Sequence, residues 1–169
     1  AVTSESVVIN SQLASMGIVT AAGAKAVTVN SAGKTTIAGI ATDETAATLT
    51  ITGAGATILT AAVDAGFTTV VAGTASGNLT LTASSLVTAT TTMGSGNDTY
   101  TTGAVLTTGS VAAGAGTDTL VLGANVSHAN TAVLAAKYTG FETLSVAASM
   151  NSGLHAAVTN IIVTSAATI

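Results

Sequence analysis

Residues 93–101 read Met-Gly-Ser-Gly-Asn-Asp-Thr-Tyr-Thr, and residues 113–121, 20 positions later, repeat the pattern as Ala-Gly-Ala-Gly-Thr-Asp-Thr-Leu-Val. Each copy has two glycines, then Asp98 or Asp118, then an alternation of Thr with a larger side chain. A glycine-rich segment followed by such an alternation predicts a tight corner that leads into a β-strand. The fixed spacing predicts that the two corners occupy equivalent places in a repeat architecture.

The alternation of Thr or Ser with Val, Ile or Leu recurs along most of the chain. Every second predicted strand starts at 36, 57, 78, 98 and 118, and an interleaved set starts near 27, 48, 69 and 87. Two short strands and two small-residue corners in about 20 residues predict an all-β parallel β-solenoid, in which each strand pairs with its counterpart one coil away. The predicted strand cores are 26–29, 35–37, 48–51, 57–59, 68–71, 78–81, 86–88, 98–101, 118–122 and 142–146.

The repeat length also predicts the size and organisation of the molecule. We expect residues 1–169 to form one solenoid domain, with regular coils over 26–127 that include both nine-residue motifs. About eight coils at the ~4.8 Å spacing of paired strands would make a rod about 40 Å long.

Two segments break the rhythm of the strands. Residues 1–25 are predicted to be an N-terminal cap region, in which 11–16 form one or two helical turns. Residues 128–169 are predicted to hold a short helical insert near 128–138, which has apolar residues at helical spacing, followed by C-terminal coils.

Charge is scarce in this chain, which has three Lys, no Arg and seven acidic residues and is 6% charged. This composition cannot supply the phosphate contacts that dominate nucleic-acid affinity, so nucleic acids and acidic membrane surfaces are poor candidates for partners. The absence of Cys excludes thiolate zinc sites, thiol catalysis and disulfides. The 35 Ala and 34 Thr residues suit a narrow interior and short strands.

The sequence predicts neither a membrane span nor an enzyme. Every apolar run is interrupted within a few residues by Thr, Ser or Gly, as in residues 51–60, whereas a spanning helix needs about 20 apolar residues. Motifs for nucleophilic, zinc-dependent and phosphoryl-transfer catalysis are missing, and two His without Arg do not readily build a catalytic centre. The terminus Ala1–Ser4 is expected to be a processed mature end or a trimmed one.

Asp98 and Asp118 form the strongest candidate for a metal site. In register on adjacent coils, their carboxylates would lie about 5 Å apart and repel by roughly 3 kcal/mol at an effective dielectric constant near 20. Calcium, which takes about six to eight oxygen ligands, would neutralise them, since glycine corners aim main-chain carbonyls inward. The alternative is a pair of solvated Asp residues at turns. The candidate calcium-binding residues are Asp98, Asp118, Gly94, Gly96, Asn97, Gly114, Gly116 and Thr117.

A second acidic set is a weaker candidate for a cation site. Glu44 and Asp64 are 20 residues apart, and Asp43 is adjacent. The alternative, which we favour, is that these are exposed loop carboxylates that solubilise the rod. The remaining candidates, His128 and His155, are expected to be surface or cap residues, and Glu142 an ordinary residue at the start of a strand.

Both motifs match the pattern G-G-x-G-x-D-x-U-x from its second position onward. The chain thereby resembles RTX-type proteins and the secreted bacterial surface-layer (S-layer) and adhesin proteins built on calcium-binding β-solenoids. The stretch Gly-Phe-Glu-Thr-Leu-Ser-Val at 140–146 is similar to the strand that follows such repeats in S-layer proteins. The family usually carries the motifs in tandem, whereas this chain has one per coil, with Met93 and Ala113 replacing the first glycine. The resemblance therefore implies calcium between coils, but not a continuous file of ions.

These features predict a structural, secreted protein at the cell surface. Because the strands at the ends of a solenoid have unpaired backbone groups, we expect copies to assemble into a layer, filament or matrix. Calcium is the expected cofactor, and other copies of the chain and cell-surface polysaccharide are the expected partners. The alternative is an adhesin or ligand-binding module, which includes an ice-binding variant with stacked Thr residues. The Thr residues in question are Thr48, Thr50, Thr52, Thr80, Thr82, Thr88 and Thr90.

Overall fold

The chain winds into a parallel β-solenoid of about eight coils, which confirms the predicted fold. The structure is a computed structural model that describes residues 5–166 and 168–169, so the expected processed end at Ala1–Ser4 lies outside the described residues. The coils build two parallel sheets, one of seven strands and one of eight. Within each sheet, every strand pairs with the strands of the neighbouring coils.

The two sheets take alternate strands of the chain. The seven-stranded sheet contains β1 (Ser6–Ser11), β3 (Ala26–Ser31), β5 (Ala47–Thr52), β7 (Phe67–Val71), β9 (Thr90–Thr92), β11 (Ser110–Ala112) and β13 (Tyr138–Thr139). The eight-stranded sheet contains β2 (Ala14–Thr20), β4 (Thr35–Ala41), β6 (Thr57–Ala62), β8 (Leu79–Thr82), β10 (Thr99–Thr101), β12 (Thr119–Gly123), β14 (Thr143–Val146) and β15 (Asn160–Val163).

The core lies between the sheets and is built from the alternation that the sequence displays. In β5, Leu49 and Ile51 are fully buried, whereas Thr48 and Thr50 are partly exposed. Because equivalent positions pair between coils, the inward-facing side chains stack in files along the axis. In the eight-stranded sheet, such files are Met16, Ile37 and Leu59, and Leu81, Tyr100, Leu120, Leu144 and Ile161.

The coil length varies because the corners vary. Thr99 pairs with Thr119, 20 residues on, whereas Val111 pairs with Tyr138 across the longest coil. That coil holds a short 3-10 helix at Val126–His128 and, within the predicted insert, the helix α1 (Ala132–Ala135), whose N-terminus is capped by the Thr131 side chain. The helix is shorter than the predicted 128–138 because the chain turns into β13 at Tyr138.

Two local predictions were wrong. Residues 11–16 do not form helical turns, because β1 ends at Ser11 and β2 begins at Ala14, so the predicted cap region contains a complete coil. Pairing of these strands with the next coil outweighs the short helical pattern. Residues 86–88 form a turn, and the strand of that coil is β9, which continues the register of β7 instead. The short strands β11, β13 and β15 were not predicted because two to four residues carry too little alternation.

Charged residues are confined to the corners of the solenoid. All three lysines and all seven acidic residues lie in connections, so none of the strands that the structure describes contains a charged side chain. Both outward sheet faces therefore consist of neutral side chains. None of the helices in the described part of the chain reaches the length and hydropathy of a membrane-spanning helix.

Candidate metal centre

The two nine-residue motifs form corners at the same edge of the solenoid, and each leads into a strand of the eight-stranded sheet. Thr99 in β10 pairs with Thr119 in β12, so Asp98 and Asp118 hold equivalent positions in adjacent coils. The Thr119 amide donates a hydrogen bond to the Asp98 carbonyl over 2.8 Å. The structure thus brings the two aspartates together in the way that their spacing predicts.

The glycines let these corners stack closely. A Cβ atom on Gly114 would lie 2.0 Å from the Gly94 carbonyl oxygen, and one on Gly116 would lie 2.2 Å from that of Gly96. Gly114 and Gly116 also have φ angles of +98° and +134°, which other residues rarely adopt. At Gly94 the main chain of the preceding coil leaves no room for a side chain, since an added Cβ atom would lie 2.1 Å from the Ala75 carbonyl oxygen. The stacking forces the corner main chains of successive coils into direct contact.

The two carboxylates point into the corner and bind main-chain amides. One Asp98 oxygen, Oδ1, accepts a hydrogen bond from the Leu79 amide at 2.8 Å, and Oδ2 accepts one from the Gly94 amide at 3.2 Å. Asp118 Oδ1 accepts a hydrogen bond from the Asp98 amide at 2.7 Å. Asp98 is 1% exposed and Asp118 is 0% exposed. Each carboxylate therefore joins its own coil to the preceding one, away from water.

Glu142 extends this row of acids into a third coil. The prediction that Glu142 is an ordinary residue at the start of a strand did not include this contact. Its Oε2 atom accepts a hydrogen bond from the Asp118 amide at 2.8 Å. The helical insert places Glu142 24 residues after Asp118, which hides it from a 20-residue period. A signal was nevertheless present, since Asp98, Asp118 and Glu142 each directly precede a Thr that starts a strand. We refer to these three residues as the acid row.

A second, exposed row of polar side chains runs beside the acid row. Asn78 Oδ1 accepts a hydrogen bond from the Asn97 amide at 3.0 Å, and Asn97 Oδ1 accepts one from the Thr117 amide at 2.9 Å. The structure therefore gives Asn97 and Thr117, both predicted to contribute to a calcium site, a hydrogen-bonded role between coils at the surface.

The electrostatics of the acid row are unfavourable to three negative charges. Burial raises the pKa of Asp98, against the opposing effect of its hydrogen bonds from Leu79 and Gly94. Burial, with the charges of Asp98 and Glu142, raises the pKa of Asp118 to about 6, although the Asp98 amide opposes this. The ion pair found among the described residues, Lys25 to Glu5 at 3.9 Å, is exposed and lies at another corner.

The donors at the acid row fit calcium in their chemistry. Asp118 Oδ2 is buried and has no hydrogen-bond partner, which is costly for a carboxylate unless a cation or a proton satisfies it. The other three carboxylate oxygens of Asp98 and Asp118 accept hydrogen bonds from main-chain amides, and carboxylate oxygens are the hard ligands that calcium prefers. No group of three acidic or His side chains within the described part of the chain is arranged to hold a metal ion. A calcium ion here would be held by the carboxylate oxygens of Asp98 and Asp118.

The weaker acidic set has local roles in its corners. Asp43 Oδ1 accepts a hydrogen bond from the Gly23 amide, and Asp64 Oδ1 accepts one from the Gly66 amide at 2.8 Å. The Glu44 amide donates to the Thr42 hydroxyl at 3.2 Å. Within the part of the chain that the structure describes, Asp43, Glu44 and Asp64 also do not form a group of three acidic side chains arranged to hold a metal ion.

The two histidines lie near the C-terminal end of the solenoid. His155 is 8% exposed, and its Nε2 atom lies 3.1 Å from the Ala129 carbonyl oxygen, so it is more buried than a surface residue. Burial lowers the pKa of both His128 and His155. A pocket of about 270 Å³ adjoins His155, and Tyr138 and Phe141 also line it.

Comparison of the chain with protein-family models, with curated proteins and with solved structures found no match.

The raised pKa of Asp118 predicts how stability depends on pH when no divalent cation is present. The folded-state pKa of about 6 exceeds the ordinary value of 3.8, so the folded state binds the proton more tightly than the unfolded state. Stability should therefore be greatest near pH 4 and should fall as the pH rises through about 6. Urea-unfolding midpoints measured at half-unit pH intervals in EDTA would show this decline.

The substitution Asp118→Asn should reduce this pH dependence, because it removes one of the two buried carboxylates whose pKa is raised and keeps an oxygen that can accept the Asp98 amide. The matched control is Asp43→Asn, which changes an exposed corner carboxylate and should leave the decline in place. If stability rises between pH 4 and pH 6 in both variants and in the wild type, the raised pKa of Asp118 is contradicted.

Proposed function

We propose that this chain is a structural protein of the bacterial cell exterior whose copies associate end to end into a surface layer or filament. The observation that carries the proposal is that both ends of the solenoid are open. Among the described residues, β1 and β2 at one end and β13 and β15 at the other have a paired strand on one side only. Unpaired strand edges are ready templates for pairing with another chain.

The first coil has a surface that a terminal coil in water would not be expected to carry. Val8, Leu13 and Ile18 are 61%, 78% and 71% exposed. In the second coil, the residues paired with Val8 and Ile18 are Thr28 and Gly39. Terminal repeats of monomeric solenoids usually have polar outer surfaces, so the apolar side chains support a first coil that is covered in the assembly.

The last coil offers a matching edge in the eight-stranded sheet. Ile162 and Val163 of β15 are 45% and 47% exposed, and Ile161 is partly buried against the core. In the last coil, no strand of the seven-stranded sheet accompanies β15 within the described part of the chain. We therefore place the main contact of the join in the eight-stranded sheet.

Parallel pairing of β15 with β2 of the next copy would continue the solenoid. Asn160 pairs with Thr143, and Ser15 pairs with Thr36, in the same outward row. A join in this register would place Asn160 beside Ser15 of the next copy and Ile161 beside its Met16. The core would then be covered at the last coil of one copy and at the first coil of the next. Such a head-to-tail contact joins two different surfaces and generates an open filament.

Calcium at Asp98 and Asp118 is the second part of the proposal. The buried, unpartnered Asp118 Oδ2 atom supports it, as does the resemblance of both motifs to the calcium-binding repeat. A bound calcium ion would supply positive charge to the acid row. Asp98 and Asp118 would then hold their two corners together as ionised carboxylates. The extracellular location rests on the same resemblance.

An adhesin or ice-binding role finds less support in the arrangement of Thr residues. The residues expected to stack are divided between the two sheets, since Thr48, Thr50 and Thr90 lie in one and Thr80 lies in the other. Thr88 lies in a turn. The Thr residues named from the sequence therefore do not form one array.

The proposal is tested by placing charge at both ends. The double variant Ile18→Lys with Ile162→Lys adds one lysine to each terminal strand of the eight-stranded sheet, where lysine prevents edge pairing. Wild-type protein in millimolar calcium should form filaments or layers by electron microscopy and scatter light strongly. The double variant should remain monomeric and keep its β-sheet circular dichroism.

The matched control adds the same charge away from the terminal strands. Val87 and Val105 are 38% and 39% exposed and lie in corners, so Val87→Lys with Val105→Lys should still assemble. Wild-type protein that stays monomeric in calcium at all concentrations would refute the proposed function.

A further inference from the structure

The last coil passes the seven-stranded sheet without adding a strand to it. Residues 151–158, which we call the end segment, contain a short 3-10 helix at Ser152–Leu154 and then lead into β15. In the described part of the chain, β13 is therefore the last strand of that sheet. No ladder of main-chain hydrogen bonds joins the end segment to β13 within these residues.

Two side chains hold the end segment to the preceding coil. Asn130 Oδ1 accepts a hydrogen bond from the Asn151 amide at 2.8 Å, and His155 Nε2 donates one to the Ala129 carbonyl over 3.1 Å. Ala129 and Asn130 are neighbours in the turn before α1. The other main-chain hydrogen bonds that the structure describes for residues 151–158 close turns within the segment. The end segment is thus anchored at one place, and one of its two anchors is a histidine.

The end segment also packs loosely against β13. A cavity of about 270 Å³ lies between them, lined by Tyr138 and Phe141 and, from the end segment, by Leu154 and His155. Protein interiors normally leave few voids larger than a water molecule, and this close packing makes local opening costly. Segments with few main-chain bonds to their neighbours and poor packing open most readily.

His155 is neutral while the end segment is closed. A carbonyl can only accept a hydrogen bond, so Nε2 carries the hydrogen and Nδ1 has the lone pair that would take up a proton. The residue is 8% exposed, and a charged ring in this position would lose most of its hydration. Burial accordingly lowers the pKa of His155 below its ordinary value of 6.5, although the hydrogen bond to Ala129 opposes this.

The groups around His155 do not provide a countercharge for a protonated ring. The neighbouring elements carry His128 in the 3-10 helix, Lys137 and Tyr138 at the start of β13, and Glu142 before β14. The Glu142 carboxylate accepts a hydrogen bond from a main-chain amide at the acid row. No carboxylate in the described part of the chain forms an ion pair with His155. A proton on this ring would therefore favour the open segment, in which the ring reaches water.

We infer that His155 is an acid-sensitive latch, which holds the end segment closed while the ring is neutral and releases it when the ring is charged. Because the open form binds the proton more tightly, closure is strongest above pH 6.5 and weakens as the pH falls below it. The end segment leads into β15, so acid would loosen the end at which the next copy is proposed to bind. The latch itself belongs to a single copy and does not rest on that join.

Hydrogen exchange followed by mass spectrometry tests the latch. All proteins compared carry Ile18→Lys, which blocks the proposed join at β2 and leaves the last coil unchanged. After correction for the intrinsic exchange rate, residues 151–158 should lose protection by roughly tenfold between pH 7.5 and pH 5, because a hydrated imidazole is almost fully protonated at pH 5. Residues 47–52 in β5 should keep their protection. This local readout is needed because Asp118 is expected to change overall stability in the opposite direction.

Two variants distinguish the two histidines. His155→Gln keeps a side-chain donor for the Ala129 carbonyl and cannot become charged, so its end segment should be equally protected at both pH values. His128→Gln is the matched control and should show the wild-type loss. Equal protection at pH 7.5 and pH 5 in the parent protein, or an unchanged loss in His155→Gln, would overturn the inference.

A proton NMR titration gives a second test that needs no substitution at His155. Protection of residues 151–158 should fall between pH 6.5 and the measured pKa of His155, by about tenfold for each pH unit between them, and should level off below that pKa. A His155 pKa of 6.5 or above, or protection that falls in another pH range, would overturn the latch. Neither result depends on whether copies associate, so failure of the latch and failure of the proposed function are distinguishable.

Discussion

Replacement of Gly116 by Ala should destabilise the protein by about 3 kcal/mol or more, among the largest effects expected of a single substitution. The φ angle of Gly116 is +134°, where an L side chain is strained. The new Cβ atom would also lie 2.2 Å from the Gly96 carbonyl oxygen and 3.2 Å from Asn97 Oδ1. Because the contact is with the main chain of the preceding coil, relief requires the two corners to separate. Urea unfolding followed by circular dichroism measures the loss.

The matched control for this prediction is Gly17→Ala. Gly17 lies in β2, its φ is not positive, and a Cβ atom there would meet nothing within 4 Å. We expect this variant to unfold within about 0.5 kcal/mol of the wild type, as most unstrained surface substitutions do. Equal stability of the two Ala variants would show that the corners are not stacked as described.

Removal of calcium should have the second large effect. An ion that binds only the folded state at 100 times its dissociation constant adds about 2.7 kcal/mol, which for a chain of this size corresponds to a Tm shift of roughly 5–10 °C. EDTA should lower the Tm by about this amount and dissolve the assemblies. Differential scanning calorimetry in EDTA and in millimolar calcium measures the shift.

The acid row should account for this calcium effect. The double variant Asp98→Ala with Asp118→Ala should have a Tm that calcium does not change. Asp43→Ala with Asp64→Ala removes the same charge from other corners and should keep the wild-type response. A wild-type melting curve that EDTA does not shift would rule out the cation site, but it would not contradict the solenoid fold.

The regular part of the fold was predictable because composition and period act together. Residues 48–51 alternate Thr with Leu or Ile, and residues 119–122 place Leu at every second position. Both stretches lie in strands, β5 and β12, whose buried side chains are the predicted apolar ones. The first coil was not predictable in this way. Its outward positions include Val8 and Ile18, whereas the paired positions of the next coil are Thr28 and Gly39. Because apolar residues occur on both faces of these strands, the sequence of the first coil does not show a polar–apolar alternation.

The candidate site was predictable in position but not in its hydrogen bonding. The 20-residue spacing placed Asp98 and Asp118 in adjacent coils, and the structure agrees. Spacing alone does not show that each carboxylate binds a main-chain amide, because that depends on how the corner turns. Glu142 was missed since the insert lengthens its coil, although its position before a strand is the same.

The most direct test of the proposed end-to-end join uses the absence of cysteine from the chain. Asn160 of one copy and Ser15 of the next would be neighbours in one outward row, with Cα atoms about 4.8 Å apart, which is within the range of about 4.4–6.8 Å that a disulfide spans. The variant Ser15→Cys with Asn160→Cys, oxidised after assembly in calcium, should give a ladder of covalent multimers on a non-reducing gel. Each single-cysteine variant should remain monomeric. A double variant that stays monomeric, or single variants that cross-link to dimers equally well, would contradict head-to-tail association.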